Sequence, residues 1–164
     1  MDASVPAVVL DWAAVTTITD RLAEAIGAGS RPDVVVGILR GGMIPAVRLA
    51  HALGLREVRA LDVTHTTRDA VNAAKAPRPI VRNPASLGDL SGLDVLVIDD
   101  IAGTGETMRA CLGLAAQAGA SAIRTAACVL NEANWPPDGD DPRSTFTYVG
   151  ARYRGWVVFP WENQ

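Results

Sequence analysis

Apolar positions follow two different rhythms along the 164-residue chain. Over residues 11–26 they recur every three or four positions with polar residues between them, which predicts an amphipathic helix ended by the glycines of 27–29. Elsewhere they form continuous runs of strand length, which are typical of strands buried on both faces of a parallel sheet. These runs cover residues 34–39, 94–98 and 122–129.

Helical patterns follow the first two apolar runs. The first carries Pro45 in its opening turn, where proline is tolerated, and the second covers 107–117 and ends at Gly119. Shorter strand patterns occupy 57–63, 146–149 and 156–159. Strands that alternate with helices predict an α/β fold with a mostly parallel sheet flanked by helices, and the length suits one domain over residues 1–164.

Residues 64–92 break this alternation. They are polar and irregular, with Ile80 and Val81 as the main apolar anchors. A loop of this length inside a compact domain is usually functional, so the pattern predicts a flexible lid over a ligand site. The alternative is a surface excursion with a small hairpin around residues 79–82.

Charge and composition exclude several function classes. The net charge is −3 at pH 7, which argues against a nucleic-acid partner because such proteins carry a basic excess. No apolar stretch is long enough to span a membrane, and residues 1–10 lack a signal-peptide pattern, so the expected location is the cytoplasm. Cys111 and Cys128 lie in apolar segments, which predicts reduced, buried thiols.

The most informative chemistry follows the apolar run at 94–98. Two adjacent carboxylates, Asp99 and Asp100, stand where the predicted strand ends, which is the edge at which α/β sheets bind ligands. The glycines and threonines of 102–107 then open a helix, whose N–H groups suit a phosphate. Carboxylates accept hydrogen bonds from vicinal hydroxyls, so the segment predicts a site for a sugar phosphate.

Other interpretations explain less of this segment. A Walker-type nucleotide loop is a poor match because its lysine and glycine spacing are absent. A phosphatase with a strand-end aspartate fits the acids in part but gives the glycine–threonine bend no role. A surface turn with a helix N-cap at Thr104 leaves the paired acids unexplained.

Three segments resemble the type I phosphoribosyltransferases. Residues 95–107 (VLVIDDIAGTGET) resemble the family's signature for 5-phosphoribosyl-1-pyrophosphate (PRPP), and residues 36–45 (VGILRGGMIP) resemble its pyrophosphate loop. Residues 155–162 (GWVVFPWE) resemble the tail of xanthine-guanine and related purine enzymes. The resemblance implies the type I fold with a lid at 64–92, a base-binding hood at 145–164, and transfer of phosphoribosyl from PRPP to a base.

The resemblance also assigns roles to individual residues. It implies catalytic roles for Asp99, Asp100 and Arg40, with Mg²⁺ at Asp100 and a cis peptide bond between Leu39 and Arg40. The implied partners are PRPP and a small base, and the implied assembly is a homodimer or homotetramer. His65, Arg68 and Lys75 lie in the predicted lid and would approach the pyrophosphate when it closes; the alternative is that each is a solvated charge. The implied binding residues are Leu39, Arg40, Gly41 and Gly42 for pyrophosphate; Ala102, Gly103, Thr104, Gly105, Glu106 and Thr107 for the 5′-phosphate; and Trp156, Val157, Leu130 and Asn131 for the base.

Two departures from the purine enzymes fall on the base side. Gly103 stands where those enzymes have an aspartate near the purine N7, and glycine cannot move a proton. Leu130 and Asn131 stand where they have a lysine. A purine is the first expectation for the acceptor. The alternatives are a non-standard heterocycle or amine, and a regulator of the same fold that binds PRPP or a nucleotide without turnover.

Overall fold

The computed structural model describes residues 7–66 and 75–162. Within these ranges strands and helices alternate as the apolar pattern predicts. Two short 3₁₀ helices, Pro84–Leu87 and Pro142–Ser144, complete the elements. The order along the chain is β1 (Val8–Val9), α1 (Trp12–Gly27), β2 (Val34–Leu39), α2 (Met43–Ala52), β3 (Val58–Thr66), β4 (Lys75–Val81), β5 (Asp94–Ala102), α3 (Glu106–Gln117), β6 (Ala122–Asn131), β7 (Tyr148–Tyr153) and β8 (Val157–Val158).

The main sheet has six strands in the order β4-β3-β2-β5-β6-β7. Its pairs are parallel except for β3 with β4, which are antiparallel. The two apolar runs predicted to be buried pair directly, with Val36 opposite Val97. The predicted α/β fold with a mostly parallel sheet flanked by helices is confirmed.

Helices cover both faces of this sheet, which explains why its central strands are apolar throughout. Val35 and Leu96 pack on the face covered by α1 and α2, whereas Val36 and Val97 pack on the face covered by α3. All four side chains are fully buried. Because alternate residues of a strand point to opposite faces, a doubly covered strand needs apolar residues at every position.

The segment 64–92 is more regular than predicted. β3 extends to Thr66, and β4 pairs with it as Val63 opposite Val81 and Thr64 opposite Ile80. The prediction of an irregular loop is therefore wrong for most of the described part. A hairpin is present, as the alternative proposes, but its strands are Val58–Thr66 and Lys75–Val81, so residues 79–81 lie within a strand and not at a turn. Prolines at 77 and 79 hid the strand, because an edge strand tolerates proline where a central strand does not.

The last part of the chain divides between two sheets. β7 extends the main sheet beside β6, so this half of residues 145–164 belongs to the central architecture and not to a hood. β8 pairs in parallel with β1 in a separate two-stranded sheet. Residues 155–162 therefore form the part of the predicted hood that lies outside the main sheet.

Candidate active site

The paired acids lie at the carboxyl end of β5, as the sequence predicts. Asp99 and Asp100 are partly buried, and the strand continues past them to Ala102. The Asp99 Oδ1 accepts a hydrogen bond from the Asp100 N–H at 3.0 Å, and the Asp100 Oδ1 accepts one from the Ile101 N–H at 2.8 Å. Backbone hydrogen bonds therefore hold both carboxylates in place at the sheet edge.

The surroundings of this pair oppose its ionisation. Burial raises the pKa of Asp99 well above its ordinary value, and the neighbouring Asp100 charge raises it further. Burial is also the main cause of the raised pKa of Asp100, to which the negative charge of Glu162 adds. Two adjacent carboxylates with raised pKa values are stabilised by a cation or by hydroxyl donors, so the edge suits a polyhydroxylated or metal-bound ligand.

The bend after β2 lies directly against Asp100. The Leu39–Arg40 peptide bond is cis, as the family resemblance implies. A Cβ added at Gly41 would overlap the Asp100 carboxylate, and one at Gly42 would come within 2.9 Å of the Ile98 carbonyl oxygen. Both positions therefore need glycine, and the bends after β2 and β5 meet across the ends of neighbouring strands.

A glycine bend joins β5 to α3 and forms the second half of this edge. Gly105 has φ of +78°, a left-handed conformation that favours glycine, and it is the N-cap of the helix. Thr104 is therefore not the N-cap, and the interpretation that placed one there is wrong. The first N–H groups of a helix have no partner within it, so those that follow Gly105 suit an anion.

The Glu106 carboxylate lies at this bend, and its contacts are not evident from the motif alone. The Thr104 hydroxyl donates to the Glu106 Oε2 at 3.1 Å, and the His65 Nε2 lies 3.4 Å from the same oxygen. His65 comes from β3, and its side chain is only 10% exposed. Thr104, Glu106 and His65 come from segments about 40 residues apart in the sequence, so only the fold brings them into contact.

Trp156 and Val157 follow Gly155, whose N–H donates to Asn131 at the carboxyl end of β6. Trp156 is 38% exposed, which leaves its indole available for stacking. The carbonyls of Trp156 and Val158 accept hydrogen bonds from the N–H groups of Val8 and Leu10, so the main-chain groups of Val157 point away from β1. The Val157 side chain is buried, and the residue can therefore meet a ligand only through its backbone.

The second tryptophan of the tail has a structural position. Trp161 stacks on Phe159 with ring centroids 4.6 Å apart and contacts Trp12 at 5.8 Å. The Glu162 Oε2 accepts a hydrogen bond from the Phe159 N–H at 2.8 Å, which fixes the turn after β8. These contacts explain the second tryptophan of the tail through packing and leave Trp156 as its exposed tryptophan.

The two residues that replace the family's lysine have different positions. Leu130 is fully buried in the core beneath α3, so its side chain cannot contact a base and that expectation is corrected. Asn131 is also buried, and its Oδ1 accepts hydrogen bonds from the N–H groups of Ala133 at 3.1 Å and Gly155 at 3.3 Å. Asn131 therefore links the end of β6 to the residue before Trp156.

The loop after β6 covers the glycine bend, which the sequence analysis did not predict. A Cβ added at Gly103 would lie 3.2 Å from the Asn134 Cβ, and one at Gly105 would lie 2.9 Å from the Trp135 ring. The Trp135 indole N–H donates to the Asp140 carbonyl at 2.8 Å. The signal in the sequence is the Asn–Trp pair just after a buried strand, which interrupts an otherwise polar loop.

Other classes of site are absent from the described part of the chain. Within residues 7–66 and 75–162, no three His, Cys, Asp or Glu residues are grouped to hold a metal ion by themselves. In the same ranges no helix has the length and apolar character needed to cross a bilayer. Cys111 and Cys128 are free and buried, as predicted, and burial raises the pKa of Cys111 to about 12.

Of the remaining predicted residues, Arg40 is exposed at the bend after β2 and Thr107 lies in the first turn of α3. Ala102 is buried at the end of β5. Arg68 lies outside the described residues, and Lys75 begins β4 on the hairpin. The residues assigned to PRPP thus gather at the ends of β2 and β5, and those assigned to the base gather at the end of β6 and beside β8.

Several known proteins have similar sequences. The bifunctional protein PyrR of Roseiflexus sp. is 38% identical over 104 residues, which are 60% of this chain and 55% of that protein. The xanthine-guanine phosphoribosyltransferase of Gluconobacter oxydans is 27% identical over 129 residues, which are 79% of this chain and 68% of that enzyme. The aligned segment thus spans little more than half of the PyrR protein.

Comparison with solved structures gives the same result over a larger share of the chain. The purine phosphoribosyltransferase of Pyrococcus horikoshii superposes with a TM-score of 0.78 and 31% identity, covering 98% of this chain and 97% of that one. The family model of the phosphoribosyl transferase domain matches residues 9–163. The chain therefore belongs to the phosphoribosyl transferase domain family.

Proposed function

We propose that this protein transfers the 5-phosphoribosyl group from PRPP to a nucleobase, with a purine as the first acceptor class, and releases pyrophosphate. One observation carries the proposal. The paired acids Asp99 and Asp100 stand between two glycine bends, with Asp100 against Gly41 on one side and the α3 N-terminus following on the other. PRPP is a ribose with pyrophosphate at C1 and phosphate at C5, so its recognition needs two acids for the ribose between two bends for the phosphate groups.

The donor half would bind PRPP through its backbone and the two acids. The ribose 2′- and 3′-hydroxyls donate hydrogen bonds to the carboxylates of Asp99 and Asp100. The 5′-phosphate accepts N–H bonds at the start of α3, where the helix dipole favours negative charge. The pyrophosphate faces the bend at Arg40, Gly41 and Gly42, whose glycines allow close approach of the backbone.

The donor set also fits Mg²⁺ at Asp100, although the described residues do not form a complete metal cage. Mg²⁺ keeps several waters and commonly takes one or two carboxylates together with substrate phosphate oxygens. A cation beside the pair would relieve the repulsion that raises both pKa values. When bound, it would neutralise charge that develops on the departing pyrophosphate.

The residues then position the reaction at C1 of the ribose. The bond from C1 to the pyrophosphate oxygen breaks with its electron pair leaving on pyrophosphate, and a ring nitrogen of the base forms the new bond to C1 and releases its proton to water. The transition state resembles an oxocarbenium ion, as in glycoside cleavage. The carboxylates of Asp99 and Asp100 hold the ribose hydroxyls, so the ring stays aligned while charge builds at C1.

The preference for a purine rests on the acceptor half and on the relatives. Trp156 offers an exposed ring at the end of β6, and base–aromatic stacking contributes about 1–3 kcal/mol. The enzymes from G. oxydans and P. horikoshii are named for xanthine-guanine and purine transfer. Both the ring position and these names favour a flat heterocycle as the acceptor.

The direct test is release of pyrophosphate from PRPP and Mg²⁺ with a panel of purine and pyrimidine bases. We expect turnover with at least one purine, none without a base, and none after removal of Mg²⁺ by a chelator. Turnover with pyrimidines alone would contradict the purine preference. Phosphate release in the absence of a base would indicate a phosphatase instead.

A regulator that binds nucleotides without turnover is the second candidate. The observation that favours it is Gly103, which brings no acid or base to the acceptor side. Tight binding of PRPP in calorimetry, combined with no pyrophosphate release for any base, would support the regulator. Turnover only with a non-standard heterocycle or amine would instead keep the transferase and change its acceptor.

A further inference from the structure

The acceptor side of the cleft carries a neutral side chain opposite Gly103. The space that a side chain at 103 would occupy is bordered by Asn134, with its Cβ 3.2 Å and its Nδ2 3.6 Å from the added Cβ. Asn134 is exposed, and its carboxamide makes no hydrogen bond to another residue in the described ranges. The loop packs directly on the bend at this point, and the exposed amide is available to a ligand that lies beside this contact.

Asn134 is held at this position by a tight turn. Its N–H donates to the Asn131 carbonyl at 3.2 Å, while the Asn131 Oδ1 accepts from Ala133 and Gly155. Gly155 directly precedes Trp156, so Asn131 fixes the starting points of both the loop that carries Asn134 and the segment that carries Trp156. Since β6 neighbours β5 in the sheet, both lie next to the edge that carries the paired acids.

We propose, resting on the proposed function, that Asn134 is the residue that recognises the polar edge of the acceptor base. A carboxamide presents a donor and an acceptor side by side, which complements a ring edge of the form –NH–C=O. Asn134 thus recognises an uncharged lactam edge of the base. It borders the space that an aspartate would occupy if residue 103 were the acid of the purine enzymes. The substrate class is a heterocycle with such an edge, stacked on Trp156.

Asn134 is expected to contact the base and not the ribose or the phosphate. Binding of product nucleotides, compared with binding of ribose 5-phosphate, measures this difference without turnover. Isothermal calorimetry would compare inosine 5′-monophosphate, which has a lactam edge, with adenosine 5′-monophosphate and with ribose 5-phosphate. Asn134→Ala should weaken binding of the inosine nucleotide about tenfold, the effect of losing one or two hydrogen bonds. Binding of ribose 5-phosphate should not change.

A matched control is Asp138→Ala, which removes an exposed side chain from the same loop. It should leave all three affinities unchanged. Asn134→Asp should weaken the inosine nucleotide too, because a carboxylate lacks the N–H donor. Equal losses for the inosine nucleotide and ribose 5-phosphate in Asn134→Ala would overturn the proposal, as would wild-type protein that binds both equally well.

The proposed transferase activity fails on a different result. If the Asn134 variants change nucleotide binding as expected but wild-type protein releases no pyrophosphate with any base, the transferase proposal falls and the role of Asn134 stands. If wild-type protein turns over bases and Asn134→Ala keeps the same base ranking and KM values, the role of Asn134 falls and the transferase stands.

Discussion

The two halves of the proposed site, one for the donor PRPP and one for the acceptor base, are built from different chemical groups. The donor half, at the ends of β2 and β5, consists of two acids and glycine bends that present backbone N–H groups. The acceptor half, at the end of β6, consists of two carboxamides and an exposed indole. Under the proposed function, the charged donor is bound by the same groups whatever the acceptor is, whereas a change in the neutral groups would alter which base is accepted.

The largest expected effect would come from removing a charge on the donor side. Asp100→Asn should weaken Mg²⁺-PRPP binding roughly 100-fold, since a hydrogen bond to a charged group contributes about 1.5–3 kcal/mol and the metal loses a ligand. Calorimetry with PRPP at fixed Mg²⁺ would measure it.

The control for this variant is Asp94→Asn at the opposite end of the same strand. Asp94 pairs with Arg124 at 2.8 Å, so its replacement should lower stability and leave PRPP affinity unchanged. Unaltered PRPP binding in Asp100→Asn would remove the acids from the donor half and break the comparison.

The next effect belongs to the acceptor side. Trp156→Ala should raise the KM for the base about 10- to 100-fold through lost stacking, with the KM for PRPP unchanged. Trp161→Ala is the matched control because Trp161 packs on Phe159 and Trp12. Trp161→Ala should lower the melting temperature and leave base discrimination unchanged. If Trp161→Ala raised the KM for the base and Trp156→Ala lowered only the melting temperature, the two assigned roles would be exchanged.

The sequence predicts the donor half better than the acceptor half for a physical reason. The acids, the glycine bend and the start of α3 are contiguous over residues 99–107, so local pattern contains their geometry. The acceptor half joins the end of β6, its following loop and the segment before β8 through Asn131. Contacts between such distant segments follow from the fold and not from any one stretch of sequence.

The same distinction explains the element predictions. Strands buried on both faces are continuous apolar runs and are easily recognised, as at Val34–Leu39. β4 is an edge strand with prolines, so its pattern is that of a loop. The position of Leu130 in the motif predicts a contact with the base, but its side chain packs in the core beneath α3.

A smaller effect is expected at the phosphate bend, where the donor half contains an opposing charge. The Glu106 carboxylate accepts the Thr104 hydroxyl at 3.1 Å, so a bound phosphate must compete for that donor and bear the repulsion. Glu106→Gln should therefore strengthen PRPP binding about threefold. It should also slightly lower stability, because an acid in the first turn favours the helix by about 0.3–1 kcal/mol.

The control for this variant is Glu57→Gln, which makes the same charge change at the opposite end of the strands, just before β3 begins. PRPP affinity should not change there. Weaker PRPP binding in Glu106→Gln would show that the carboxylate supports the bend in its binding geometry, and the donor half would then include Glu106 as a positioning residue.

The smallest effect is on the free energy of unfolding, and it tests whether the ionised form of Asp99 destabilises the folded protein without a ligand. The pKa of Asp99 is raised in the folded protein, so between its ordinary value and the raised value the folded state binds more protons than the unfolded state. Stability therefore falls as pH rises through that window and stays reduced above it.

Asp99→Asn keeps the Oδ1 acceptor for the Asp100 N–H and removes this cost. Its free energy of unfolding at pH 8 should exceed that of the wild type by about 1 kcal/mol, with the difference vanishing near pH 4. Urea unfolding at both pH values measures it, and a difference that does not change with pH would show that Asp99 ionises at no cost in the folded protein.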